Sequence, residues 1–167
     1  TASRVFFSSL EHVAKTHPKP ISTVLIPGIL GYVHVSSVHS DLFGRLIGSL
    51  RSLPNNLLLS LQNVPASPGL EGKARVEARS VILQGILTKP NKFNLDSTST
   101  RVLLQWLLTA IQSHPKSIKV SNVVLRLVER HRDISNNFKT DIAKIANAIK
   151  VGFMKKTILN KLSKLSK

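Results

Sequence analysis

The chain has 167 residues, of which 42% are hydrophobic, and its 24 Lys and Arg against 8 Asp and Glu give a net charge of +16. This length and apolar content suit one domain with a substantial core and exclude a disordered basic tail. The absence of Cys excludes disulfides and Cys-based zinc sites, and no uninterrupted apolar run reaches the ~18–20 residues of a membrane span. Because self-repulsion destabilises a compact chain of this charge, we expect a polyanionic partner. Nucleic acid is the first candidate, and an anionic membrane surface is the alternative.

Helical patterns dominate the N-terminal part of the chain. Apolar residues near helical spacing predict a helix over residues 4–15, which the following prolines end. Residues 21–38 are ambiguous, because their β-branched residues favour a strand while their apolar spacing also suits one face of a helix. Asp41 is a candidate cap for a helix that ends before Pro54. Pro54 in turn suits the first turn of a further helix through residues 57–61.

Residues 74–90 show a different pattern. Charged side chains at 75, 77 and 79 alternate with small apolar ones, which is the period of a strand. Gln84-Gly85 suits a turn, and Pro90 closes the apolar run that follows it. The segment therefore predicts a β-hairpin near residues 74–90 that carries Arg75 and Arg79 on one face.

The clearest helices follow. Ser97 or Ser99 caps a helix whose almost continuous apolar residues predict burial, so we expect Trp106 to lie in the core rather than to stack on a base. Two amphipathic helices, over residues 121–131 and 139–151, direct their basic side chains outward.

These elements predict a mainly α protein. We expect a single helical domain of about six helices over residues 1–152, with one protruding β-hairpin, and a basic C-terminal extension over residues 153–167. The positive charge is uneven along it: residues 116–167 carry thirteen Lys or Arg and three acids, whereas residues 1–115 carry eleven and five. The C-terminal third thus holds most of the excess.

No motif for catalysis or metal binding occurs in the sequence. The six His residues include no HExxH pair, and there is no GxGxxG, no phosphate-binding P-loop and no GxSxG. We therefore predict a protein that is not an enzyme and that uses no cofactor, metal or small-molecule substrate. Aromatic residues make up only 5% and do not interleave with basic ones, which favours contact with the phosphate backbone of a folded RNA over base stacking.

The middle of the chain resembles small-subunit ribosomal protein seven of the bacterial and organellar type. Residues 77–80 read Glu-Ala-Arg-Ser, followed by Gly85, Pro90 and an Arg-Val-Leu-Leu-Gln-Trp-Leu-Leu run over residues 101–108. The family has Glu-Val-Arg-Ser, a Gly-Gly turn, a Pro and a Leu-Ala-x-Arg-Trp-Leu helix in that order. Here Pro90 comes one residue early, and Gln105 replaces the Arg before Trp.

Weaker similarity extends this resemblance over roughly residues 57–155. Residues 61–65 are similar to the family's Ala-x-x-Asn-Val-x-Pro, and residues 139–151 to its last helix, Lys-x-Met-Ala-Glu-Ala-Asn-Arg-Ala. Residues 1–50 lack the family's Gly-Lys-Lys loop. This divergence indicates an organellar version, mitochondrial rather than plastid or cytoplasmic, and a chain that begins at Thr1 rather than Met is consistent with removal of a leader segment.

The resemblance implies a structural protein of the small ribosomal subunit. Such a protein would bind the 3′ major (head) domain of small-subunit ribosomal RNA. It would neighbour small-subunit proteins of the nine and eleven types, and its hairpin would lie near the exit-site transfer RNA and the messenger RNA.

The candidate RNA-binding residues are the basic side chains of the hairpin region and of the C-terminal helices. They are Arg75, Arg79, Lys89, Lys92, Arg101, Lys116, Lys119, Arg126, Arg130, Arg132, Lys139, Lys144 and Lys150. Two alternatives stay open. One is a basic helical adaptor that binds protein partners in another ribonucleoprotein, and the other is a protein that binds an anionic membrane surface through residues 153–167.

Overall fold

The computed structural model describes residues 2–32, 34–50, 53–54, 57–62, 69–88 and 95–165, and these are predominantly helical, as the sequence predicts. A π-helical turn, Ile21–Leu25, lies between α2 and α3, and a 3-10 helix, Leu57–Leu61, lies between α4 and α5. The α-helices are α1 (Ala2–Thr16), α2 (Pro18–Pro20), α3 (Ile26–Gly31), α4 (Ser37–Ser49), α5 (Gly69–Leu87), α6 (Ser97–Ser113), α7 (Ile118–Arg130), α8 (Arg132–Asn137), α9 (Lys139–Ala148) and α10 (Gly152–Lys164).

The ambiguous segment after α1 is helical as far as Gly31. Its apolar residues bury one side, with Ile26 and Leu30 wholly inaccessible to solvent, and Pro27 is tolerated because it falls in the first turn of α3. The next helix, α4, begins at Ser37 rather than after Asp41. Ser36 and His39 form a capping box there, which places Asp41 inside the helix.

The predicted β-hairpin is wrong for the described part of residues 74–90, because residues 74–87 belong to the single helix α5. Buried residues recur along α5 at intervals of three and four, which is the helical period. The residues that follow this spacing are Val76, Arg79, Ser80, Leu83, Ile86 and Leu87, and Ala78 and Ile82 are also buried and widen the buried face. The alternating charges indicate a strand only if Arg79 lies at the surface, and Arg79 is buried. Gly85 lies within the helix and forms no turn.

Arg79 is the charged exception in this buried row. Its side chain is 1% exposed, and its Nε donates a hydrogen bond of 2.9 Å to the carbonyl of Leu30. One terminal nitrogen of the guanidinium donates to the carbonyl of Tyr32. The side chain of Arg79 thus caps carbonyls at the C-terminal end of α3, which have no partner within the helix. Burial lowers the pKa of Arg79 from its ordinary value to about 10, so the guanidinium stays charged at neutral pH.

The C-terminal half packs around α7, which contacts α5, α6, α8, α9 and α10. Trp106 is buried in α6, which confirms its assignment to the core. Asp96 caps α6 by accepting the N–H of Ser99 at 2.7 Å, so neither predicted serine is the cap.

The segment predicted as an extension is part of the same core. Met154, Ile158 and Leu162 of α10 are buried at the helical spacing of four and join the apolar cluster formed by the earlier helices. Helix α10 lies against α7 and α9. Residues 152–165 therefore belong to the domain rather than to a tail beyond it.

Candidate nucleic-acid interface

Helices α7 and α10 lie side by side and run in the same direction. Near their first residues, the N–H of Lys150 donates to the carbonyl of Pro115 at 2.9 Å. Near their last residues, Lys161 and Glu129 form an ion pair of 3.1 Å. Each helix has 13 residues, so the pair is about 20 Å long at 1.5 Å per residue. Basic side chains gather at both ends of this pair.

We call the group at the N-terminal end of the pair the lysine end. It comprises Lys116, Lys119, Lys150, Lys155 and Lys156. Lys116 and Lys150 precede the two helices, and Lys156 extends from the second turn of α10. All three are exposed and pair with no acid in the described part of the chain. The remaining two are partnered: Lys119 pairs with Glu77 at 3.2 Å, and Lys155 donates to the carbonyl of Asn147 at 3.3 Å.

The backbone adds positive potential at the lysine end. An α-helix carries about half a positive charge at its N-terminus, where its first N–H groups lack partners inside the helix. Ser117 accepts one such N–H of α7, from Val120, over a long 3.4 Å. Val151, the N-cap residue of α10, forms no side-chain hydrogen bond to the first N–H groups of that helix. Two positive helix termini therefore coincide with the cluster of lysines.

We call the group at the opposite end the arginine end. It comprises Arg126, Arg130, Arg132, Lys161 and Lys164 around the carboxylate of Glu129. Arg126 and Lys161 hold that carboxylate from two sides, at 3.0 and 3.1 Å. A cleft of about 250 Å³ lies beside it, lined by Arg132, Lys161 and Lys164. Cations here also offset the negative ends of two helices, so part of this cluster has a structural explanation.

A third basic group lies in a groove of about 230 Å³ between α6 and α9. Arg101 and Lys144 enter it from the two helices, beside Asp141. Both basic side chains are exposed and form no ion pair among the residues that the structure describes. The groove thus carries a smaller excess of positive charge than either end of the α7–α10 pair.

The candidate residues from the sequence divide unevenly among these groups. Lys116, Lys119 and Lys150 lie at the lysine end, Arg126, Arg130 and Arg132 at the arginine end, and Arg101 and Lys144 in the groove. Lys139 is half-buried at the start of α9, and Arg75 is half-buried in a cleft between α4 and α5. Lys89 and Lys92 lie outside the described residues.

Arg79 requires a correction, because it points into the interior and offers no donor to a phosphate. Four basic residues of the two ends were missing from the candidate set: Lys155, Lys156, Lys161 and Lys164. The apolar spacing of Met154, Ile158 and Leu162 was the signal that could have placed them, because it implies a docked helix.

Other kinds of site are scarce. Among the described residues, no three His, Asp or Glu side chains come together in a way that could hold a metal ion. Within the same ranges, every helix is too short or too polar to cross a bilayer. No protein-family model, curated protein or solved structure matches the chain. Its function must therefore be inferred from the chemistry of its own surface.

Proposed function

We propose that this protein is a non-catalytic structural RNA-binding protein that holds the phosphate backbone of a folded RNA against the α7–α10 pair. Small-subunit ribosomal RNA of a mitochondrial ribosome is the expected RNA. The lysine end is the main support for this proposal, because its cations lie where they are unfavourable for the folded protein without a ligand.

The direction of the helix dipole makes the lysine end unfavourable for the protein on its own. A cation near a helix N-terminus is unfavourable by a few tenths of a kcal/mol to about 1 kcal/mol, and neighbouring lysines also repel one another. Two such helix ends adjoin Lys116 and Lys150, and Lys156 lies one turn further along α10; none of the three has an acid partner in the described ranges. An RNA phosphate would remove both penalties, because it accepts hydrogen bonds from free helix N–H groups and neutralises the ammonium groups.

The ribosomal part of the proposal rests on the sequence resemblance alone. Because residues 74–87 form a helix here, contact with exit-site transfer RNA and messenger RNA through a hairpin does not carry over from the family. The proposal is accordingly limited to the head-domain RNA and to neighbouring small-subunit proteins.

The membrane alternative is disfavoured by the packing of α10. A cationic surface helix needs its apolar face free to enter the lipid, whereas Met154, Ile158 and Leu162 are buried in the core. Phe153 is the exposed apolar residue nearest to them, and it lies at the helix start.

The adaptor alternative has support at the other end of the chain. Val5 and Phe6, neighbours on α1, are 69% and 56% exposed. Contiguous exposed apolar side chains are typical of protein contact sites. An N-terminal contact with a neighbouring protein is compatible with RNA binding by the opposite half of the chain.

The first test is the sedimentation of the endogenous protein in a gradient of organelle lysate. We expect it to travel with small ribosomal subunits at moderate salt and to shift to the top of the gradient after RNase treatment. A light peak that is indifferent to RNase contradicts the proposal.

The second test removes charge from the lysine end. Each lysine–phosphate contact contributes about 0.7–0.9 to the slope of log K against log salt. The triple variant Lys116→Gln, Lys150→Gln, Lys156→Gln should therefore reduce that slope by about 2–3 and weaken binding roughly 100-fold or more at 0.1 M salt. Filter binding to a transcript of the head domain over a salt series measures both quantities.

A matched control removes the same charge elsewhere. Lys15, Lys19 and Lys73 are exposed on α1, α2 and α5, and their triple change to Gln should alter the slope by less than about 1, the value for one phosphate contact. Equal losses in the two triple variants would mean that net charge, rather than the lysine end, governs binding.

A further inference from the structure

A cleft of about 600 Å³ opens between α4, α5 and the first turn of α7. This volume lies in the usual range for small-ligand sites, and the lining combines hydroxyl, carboxylate, basic and apolar groups. Lys119 belongs both to this cleft and to the lysine end. The cleft is therefore continuous with the surface proposed to hold RNA phosphates.

One aromatic side chain, His34, lies at the rim of the cleft, and Tyr32 packs against it from outside the lining. The ring of Tyr32 meets that of His34 edge-on at 5.8 Å between centroids. Tyr32 also contacts His39, at 5.5 Å. The Tyr32 side chain is 47% exposed although its backbone is held by Arg79, so a ring surface remains available on a fixed support. Such a surface can stack an unpaired nucleobase.

The carboxylate of Asp41 is the second notable group. It lines the cleft and is exposed, with no ion-pair or hydrogen-bond partner within the described ranges. The other acid in the cleft, Glu77, is already paired with Lys119. A free carboxylate repels phosphate, but it is a good acceptor for the N–H groups of a base. Guanine presents two adjacent N–H donors on its Watson–Crick edge, which match the two oxygens of a carboxylate.

We propose that this cleft binds an unpaired guanine of the RNA held at the lysine end. The base stacks at the Tyr32–His34 rim and donates to Asp41, while its phosphate lies toward Lys119. The inference rests on the proposed RNA-binding function and adds to it one base-specific contact.

The test compares RNA hairpins that differ at one position. The full chain is titrated with a hairpin that has a single bulged G, with the same hairpin carrying a bulged A, and with a bulge-free hairpin. We expect the bulged G to bind about tenfold more tightly than the other two, as one bidentate base contact provides. Free GMP should reduce that advantage more than free AMP does at the same concentration, which separates base recognition from competition by the nucleotide phosphate.

Substitution of Asp41 distinguishes a specific base contact from a general effect of charge on RNA affinity. Removing any negative charge should strengthen RNA binding in general, whereas Asp41→Asn should lose the tenfold preference for bulged G. The control Asp133→Asn removes the same charge from an exposed position on α8 and should keep the preference. Tyr32→Phe should keep it, and Tyr32→Ala should reduce it.

The outcomes separate the two proposals. Binding of all hairpins with equal affinity, or a preference that survives Asp41→Asn, overturns the guanine site and leaves backbone binding intact. Failure to bind any hairpin at low salt contradicts RNA binding itself.

Discussion

The buried guanidinium of Arg79 permits a decisive prediction, because sequence and structure assign it different roles. We consider Arg79→Met, which retains much of the side-chain length and removes the charge. The change abolishes the hydrogen bonds to the carbonyls of Leu30 and Tyr32 and leaves two polar groups at the end of α3 without them. Hydrogen bonds from a charged donor contribute about 1.5–3 kcal/mol each, which sets an upper limit of about 3–6 kcal/mol.

Part of that loss is recovered, because the variant no longer buries a charge. Removing a charge from the interior relieves a desolvation penalty of a few kcal/mol. We therefore expect Arg79→Met to lower the free energy of unfolding by about 2–4 kcal/mol, a large fraction of the 5–15 kcal/mol typical of a domain. Urea unfolding followed by circular dichroism measures the change, with Arg101→Met on the exposed face of α6 as a control that should stay within about 0.5 kcal/mol.

Two results would contradict this role of Arg79. Unchanged or increased stability of Arg79→Met would mean that the hydrogen bonds do no more than offset the burial of the charge. A stable variant whose salt slope for RNA binding falls by about 0.7–0.9 would instead identify Arg79 as a phosphate contact, as first expected from the sequence.

The remaining predictions concern pH and the docking of α10. Burial lowers the pKa of His131 below its ordinary 6.5, against the opposing effect of its hydrogen bond to the carbonyl of Leu87. The unfolded state therefore binds the proton more readily than the folded state. The contribution of His131 to the free energy of unfolding is fully present above pH 6.5 and is lost as the pH drops toward and through the lowered pKa. His131→Gln should flatten this fall in urea midpoints, while the exposed His12→Gln should not. Ile158→Ala should lower the free energy of unfolding by about 2–5 kcal/mol, since Ile158 is 0% exposed; a loss near zero in urea unfolding would mean that α10 is a detached extension.

Local pattern was enough to predict most helices, because a helix follows from apolar spacing within a window of one to five turns. The helices of residues 2–16, 97–113, 118–130 and 139–148 all overlap their predicted ranges. Their caps were less predictable, as Asp96 and Ser36 show, since several neighbouring residues can accept the same N–H.

The failed hairpin has a specific cause. A charged residue is ordinarily expected at the surface. With Arg79 placed there, the charges at 75, 77 and 79 alternate as they would in a strand, although the segment is a helix. The expectation fails at Arg79 because backbone carbonyls of Leu30 and Tyr32, nearly fifty residues away, satisfy the guanidinium. The sequence of α5 gives no indication of those hydrogen-bond acceptors.

Composition and local pattern are sufficient to establish the charge, the helical class and the concentration of basic residues in the C-terminal third. These are sums over composition and local period, which do not depend on how helices pack. Which cations act together depends on the tertiary structure: the parallel pairing of α7 and α10 brings the segment of Lys150 against that of Lys116, and the rings of His34 and His39 both meet that of Tyr32. Proximity between distant residues depends on which apolar faces bury one another, and that is a property of the whole fold rather than of any segment.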